Sequence, residues 1–219
     1  SPRIQQAQGF VAALRDRHPD FYAAHPMDAE EPDEEEFLME LTFVGYLNAL
    51  DRLTFIPGAL DAIRFLVRAG YQIAIVTNQA GVALGMIEEH VLDQLHAHID
   101  ERVRHAGGRI DGWFVCPHAK SATVEKFRLD CDCRKPKAGL FDQACAALPA
   151  DKARSSYIGD KASDMAAAAN AGLRGILVLT GYGAGELAKH GGEVPGATIV
   201  AANLAEAASR ILLNEVPRS

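Results

Sequence analysis

Long apolar runs are missing from this chain. None approaches the roughly 18 residues that a membrane-spanning helix needs. The opening Ser1-Pro2-Arg3-Ile4-Gln5-Gln6 carries no apolar signal-peptide core, so no membrane association is expected. An excess of basic charge is missing as well. Lys and Arg total 22 against 29 Asp and Glu, a net charge of −7. A nucleic-acid binder needs a basic stripe to displace counterions from phosphates, which excludes nucleic acid as the expected partner. Cysteine is scarce, with four in 219 residues. That is too few for a disulfide scaffold, and it suits a reducing cytoplasm.

What is present is an ordinary globular mix, 48% apolar and 23% charged. The length suits one domain with a single core and an added arm. Residues 3–17 have helical spacing, with Ile4, Phe10, Val11 and Leu14 on one face. Pro19, Pro26 and Pro32 then interrupt the chain. Asp28, Glu30, Glu31, Asp33, Glu34, Glu35 and Glu36 crowd into a solvated run. Residues 1–36 are therefore expected to form a helical arm and acidic linker, a candidate surface for a protein partner or for self-association. Residues 37–215 are expected to form the main domain.

In that domain apolar strands alternate with amphipathic helices. Strands are expected at 37–44, 71–76, 112–115, 155–159, 174–179 and 197–200. Helices are expected at 57–69, 87–105, 139–148, 162–171, near 185 and at 203–213. This grammar predicts an α/β fold of βαβ units with a mainly parallel sheet. Ligands bind such sheets beyond the carboxyl ends of the strands, which directs attention to Thr77, Cys116 and Asp160.

Four groups of residues there carry chemistry. Cys116-Pro117-His118 and Cys131-Asp132-Cys133 are two closely spaced pairs of soft or borderline ligands. Three thiolates and one imidazole suit a closed, structural tetrahedral Zn²⁺. The loop between them, 119–130, has little apolar content, so metal binding is expected to supply its folding energy. Next, Gly159-Asp160-Lys161 and Asp164 follow a buried strand. Asp160 there can hold Mg²⁺ while Asp164, one helical turn on, orients it or a neighbour. Third, Thr77-Asn78-Gln79 offers hydroxyl and amide donors at a strand end, suited to a phosphate. Fourth, Arg134-Lys135-Pro136 puts two cations beside the cysteine loop, where they could grip a phosphoryl group.

Taken in chain order, these residues resemble the haloacid dehalogenase-like (HAD-like) superfamily of aspartyl phosphatases. The resemblance is closest to the branch of D-glycero-D-manno-heptose 1,7-bisphosphate phosphatases and their histidinol-phosphatase relatives. That branch carries a T-N-Q-x-G segment, a C-P-H…C-x-C-R-K-P loop and a G-D-K-x-x-D motif, which stand here at 77–81, 116–136 and 159–164. The 12 residues between His118 and Cys131 match the heptose type. The resemblance implies a three-layer Rossmannoid domain with a zinc loop in place of a large cap, and a small sugar phosphate as substrate. It implies Thr77, Lys135, Asp160 and Asp164 as catalytic residues and Asn78, Gln79, Arg134 and Lys161 as substrate-binding ones. Cys116, His118, Cys131 and Cys133 would hold structural Zn²⁺, and Asp160 would hold catalytic Mg²⁺.

The chain also departs from that pattern. The family's first motif, D-x-D-G-T, supplies the nucleophile and the general acid, and no D-x-D stands ahead of Gly45. Counting back from Gly45 puts the motif at Glu35-Glu36-Phe37-Leu38-Met39, matching Thr42 instead leaves only Glu40 as an acid, and Leu50-Asp51-Arg52-Leu53-Thr54 is a third alignment, with Asp51. Leu84 occupies a position where the branch usually has Arg. Two readings follow: a phosphatase weakened in its covalent step and in its Mg²⁺ site, or an inactive relative that binds a sugar phosphate or a protein.

Overall fold

Residues 55–214 are described by a computed structural model. They fall into two compact units, 55–149 and 150–214. The helix and strand expected at 3–17 and 37–44, and the domain boundary at 36/37, lie outside the described residues.

In the first unit, helix α1 (Ala59–Arg68) starts after Gly58, whose φ of +83° only glycine adopts easily. Pro57 thus stands before the helix rather than in its first turn. Gly70, at φ +89°, closes the helix. The N–H of Tyr71 returns to the carbonyl of Leu66, the 6→1 bond of a Schellman ending. Tyr71 is therefore spent on finishing the helix, and the Ile73 N–H donates to the Asp111 carboxylate. Strand β1 begins only at Ala74 and runs to Asn78, later than the 71–76 expected from the apolar run.

A short helix α2 (Ala80–Ala83) follows, a turn that sequence periodicity did not reveal. Helix α3 (Glu89–His105) buries Leu92 and Val103. Strand β2 (Gly112–Cys116) pairs in parallel with β1, Thr77 opposite Val115 and Asn78 opposite Cys116. Helix α4 (Gly139–Ala147) packs on both strands.

In the second unit, β3 (Ser156–Gly159), β4 (Arg174–Val178) and β5 (Ala197–Ala201) form a parallel sheet in that order. Helix α5 (Ala162–Ala171) packs on β3 and β4, α6 (Gly183–Lys189) on β4, and α7 (Leu204–Asn214) on all three strands. Met165, Leu177, Leu179, Leu187 and Val194 fill the core between them. Every strand pairing among the described residues is parallel, joined through helices, as the alternating pattern requires. None of the described helices is long and apolar enough to cross a membrane.

Candidate functional site

The four ligands expected for zinc converge. Cys116 Sγ at the end of β2 lies 3.6 Å from Cys131 Sγ and 3.2 Å from Cys133 Sγ, and Cys131 and Cys133 are 3.2 Å apart. His118 Nδ1 is 3.3 Å from Cys133 Sγ and 3.8 Å from Cys116 Sγ. Zn–S bonds of about 2.3 Å in a tetrahedron give sulfur–sulfur edges of about 3.8 Å, so a small expansion of these atoms is all that separates them from a bound ion's geometry. No disulfide joins them. Burial and the neighbouring thiols push the Cys133 thiol far up, and burial likewise raises Cys116. Such sulfurs ionise together only around a cation, so the donor set fits a metal.

The loop between the pairs is better anchored than its composition suggested. Phe127, Ala119 and Ala122 are buried with Ala80, Val82 and Ala83 of α2 and with Ile87 and Leu92. The Val124 N–H donates to the Ala83 carbonyl at 2.9 Å. A 3₁₀ turn, Glu125–Phe127, sets Phe127 inward, tilted against the His118 ring at 6.2 Å. The loop thus has a small apolar core of its own, which α2 completes. That is a correction to the expectation that metal alone would supply its folding energy.

Thr77 and Lys135 are brought together in the same unit. Lys135 Nζ donates to the carbonyl of Val76, the residue before Thr77, at 3.3 Å. Asn78 makes the link. Its Oδ1 accepts the Lys135 N–H at 3.1 Å, and its Nδ2 donates to the Lys135 carbonyl at 3.2 Å. The amide pairs with the Lys135 main chain as a neighbouring strand would. The Gln79 N–H donates to the Cys116 carbonyl at 2.8 Å, and Gln79 Nε2 reaches Thr77 Oγ1 at 3.5 Å. Arg134 donates to the His118 carbonyl at 3.0 Å. Residues 77–79, the Cys/His cluster and Arg134-Lys135 are therefore one connected assembly.

Asn78→Ala should lower stability by about 1–3 kcal/mol, because it removes the two hydrogen bonds that Asn78 makes to the Lys135 main chain. Urea unfolding of the variant checks this.

The second unit brings Asp160, Lys161 and Asp164 together. The buried Asp164 accepts the Lys161 N–H through Oδ2 at 3.2 Å and the Tyr157 hydroxyl through Oδ1 at 3.4 Å. It caps the start of α5. A Cβ on Gly159 would stand 2.8 Å from the Asp164 carboxyl carbon, which is why glycine precedes Asp160. Asp160 Oδ2 accepts the Tyr182 N–H at 3.1 Å. Burial pushes the Asp160 carboxyl above its ordinary range. The Tyr182 hydrogen bond and the Lys161 charge oppose that shift, and Asp164 adds to it.

Tyr182, Gly181 and the buried Glu186, whose Oε2 accepts the Ala162 N–H at 3.1 Å, were not foreseen. The run Thr180-Gly181-Tyr182-Gly183 was their only trace in the sequence. Glu40 and Asp51, the acidic candidates for the first motif, lie outside the described residues.

A HAD-hydrolase-like family model matches residues 132–207. The D-glycero-beta-D-manno-heptose-1,7-bisphosphate 7-phosphatase of Salmonella typhi is 41% identical over 139 residues, 63% of this chain and 73% of the relative. The Neisseria meningitidis serogroup A enzyme of the same name is 34% identical over 150 residues, 68% of this chain and 76% of the relative. Among solved structures, the D,D-heptose 1,7-bisphosphate phosphatase of B. bronchiseptica, complexed with magnesium and phosphate, superposes with a TM-score of 0.69 at 32% identity. That match covers 77% of this chain and 89% of the other. The corresponding Burkholderia thailandensis phosphatase superposes with a TM-score of 0.56 at 29% identity, covering 74% and 89%.

Proposed function

The chain belongs to the HAD-like family of D-glycero-D-manno-heptose 1,7-bisphosphate phosphatases, and on that premise we propose that it binds the heptose 1,7-bisphosphate and removes a phosphate from it, with a weakened covalent step. The observation that carries this reading is the link from Thr77 through Asn78 to Lys135. It puts a hydroxyl and an ammonium at one strand end, where a dianionic phosphoryl group needs donors and positive charge.

In this reading Thr77 Oγ1 donates to a phosphoryl oxygen. Lys135 neutralises the charge that builds as the leaving oxygen departs. Asn78 holds the Lys135 main chain, and Arg134, Gln79 and Lys161 meet the sugar or its second phosphate. Cys116, His118, Cys131 and Cys133 hold Zn²⁺ and keep Arg134 and Lys135 in place. Three thiolate ligands suit a reducing cytoplasm. The Asp160 carboxylate is a hard oxygen ligand suited to Mg²⁺, and Asp164 caps α5 to support it. Bound there, Mg²⁺ would supply charge neutralisation at the phosphoryl oxygens.

The covalent step is the weak point, since no D-x-D motif precedes Gly45. Titration of the heptose bisphosphate with Mg²⁺ should show saturable binding. Turnover should fall well below the ordinary range of about 1–10³ s⁻¹. Absence of binding would sink the sugar-phosphate reading. Ordinary turnover would instead show that an effective nucleophile is present, and Asp51→Asn and Glu40→Gln would then identify it.

A further inference from the structure

The segment after β4 grips three successive residues of the Asp160 motif. The Tyr182 N–H donates to Asp160 Oδ2 at 3.1 Å. The Lys161 ammonium lies over the Tyr182 ring, 4.3 Å from its centroid. Glu186 Oε2 accepts the Ala162 N–H. The approach is as close as a backbone permits. Gly181 has φ +62°, and a Cβ there would clash with Asp160 Oδ2. One on Gly183 would clash with the Val178 carbonyl. Two glycines therefore press the turn onto the strand ends, and the residue between them brings its N–H to Asp160 and its ring to Lys161.

We propose that Tyr182 is a positioning residue for substrate binding, whose ring holds the Lys161 ammonium beside Asp160 as a fixed charge for a phosphate oxygen. The inference deepens the sugar-phosphate reading and rests on it. Lysine is a flexible point charge that loses rotamer entropy when it is fixed. An aromatic face attracts the ammonium through the ring quadrupole and restricts it before the anion arrives. Lys161 is already felt at Asp160, where it counters the effect of burial on the carboxyl.

The test is a double-mutant cycle on the full chain, with inorganic phosphate titrated by calorimetry in the presence of Mg²⁺. Tyr182→Leu removes the ring face and Lys161→Met removes the charge. Tyr182→Leu is expected to weaken phosphate binding about 2- to 30-fold, the span of measured cation–π effects. In the Lys161→Met background the same change should have no further effect. Tyr182→Phe keeps the face and should recover most of the loss.

An equal loss in both backgrounds, or no loss from Tyr182→Leu, overturns the proposal and leaves the sugar-phosphate reading standing. A wild-type chain that binds neither phosphate nor the heptose bisphosphate overturns both. If Tyr182→Leu unfolds, comparison of Tyr182→Phe with Tyr182→pentafluorophenylalanine decides the matter. The two rings share a shape but present opposite quadrupoles. Weaker binding by the fluorinated ring supports the proposal, and equal binding overturns it.

Discussion

Cys131→Ser should empty the metal centre and lower stability by about 4 kcal/mol or more. Losses of that size are rare for one substitution and are typical of losing a metal. Cys131 Sγ lies 3.2 Å from Cys133 Sγ and 3.6 Å from Cys116 Sγ, so its removal opens one corner of a closed tetrahedron. Structural zinc contributes about 10–16 kcal/mol in small peptides that have no other means of folding. The loss here should be smaller, because Phe127, Ala119 and Ala122 keep their contacts with α2 and hold the middle of the loop. The damage should concentrate at its two ends, 116–118 and 131–135, and the second of these carries Lys135.

Elemental analysis of protein purified without added metal should find one zinc per chain in the wild type and almost none in the variant. Hydrogen exchange should show protection lost near 131–135 and largely kept at 124–127. Cys145→Ser should keep the metal, since Cys145 lies outside the cluster. Zinc content near zero in the wild type would refute the assignment. Uniform loss of protection across 116–135 would show that the apolar anchor is too weak to act alone.

These expectations draw unequally on sequence and on structure. The Cys/His cluster was legible because its members come in two short-range pairs, a spacing that suits a tetrahedral site. The alternation of strands and helices was legible for the same reason, since each element carries its own periodicity. Boundaries slipped where local chemistry competed. Tyr71 and Ile73 are apolar enough for a strand, yet their N–H groups go to Leu66 and Asp111. The grip of Asn78 on Lys135 spans 57 residues, and the amide pairs with main-chain atoms that every residue possesses. No motif announces such a contact. Asp160 is held by a main-chain N–H in the same way, and only the glycine at 181 betrays that something must come close. The burial of Phe127 was not legible, because the apolar partners that complete its pocket belong to α2 and to the start of α3.

Asp160→Asn should abolish most Mg²⁺ binding and yet make the metal-free protein more stable at neutral pH. The two effects share one cause. Burial raises the Asp160 carboxyl above its unfolded value of about 3.9. The folded state therefore binds the proton more tightly than the unfolded chain does. Stability falls as pH rises from below the unfolded value through the raised one, and above that the ionised carboxylate is a standing cost. Asparagine carries no charge and still offers an oxygen to the Tyr182 N–H, so the cost disappears while the hydrogen bond is kept. Mg²⁺ reverses the ranking. A ligand present at 100 times its Kd adds about 2.7 kcal/mol to the state that binds it, and that gain belongs to the wild type alone. Losing a direct carboxylate ligand should weaken affinity by more than the about 10–100-fold that an outer-shell partner costs. Thermal melts at neutral pH should thus cross over, the variant melting higher without metal and the wild type higher with it. At pH values well below 3.9 the metal-free difference should vanish, since both side chains are then neutral. Equal Mg²⁺ stabilisation of the two proteins would remove Asp160 from the metal site. A variant less stable without metal would mean that the carboxylate's contacts outweigh the cost of burying its charge.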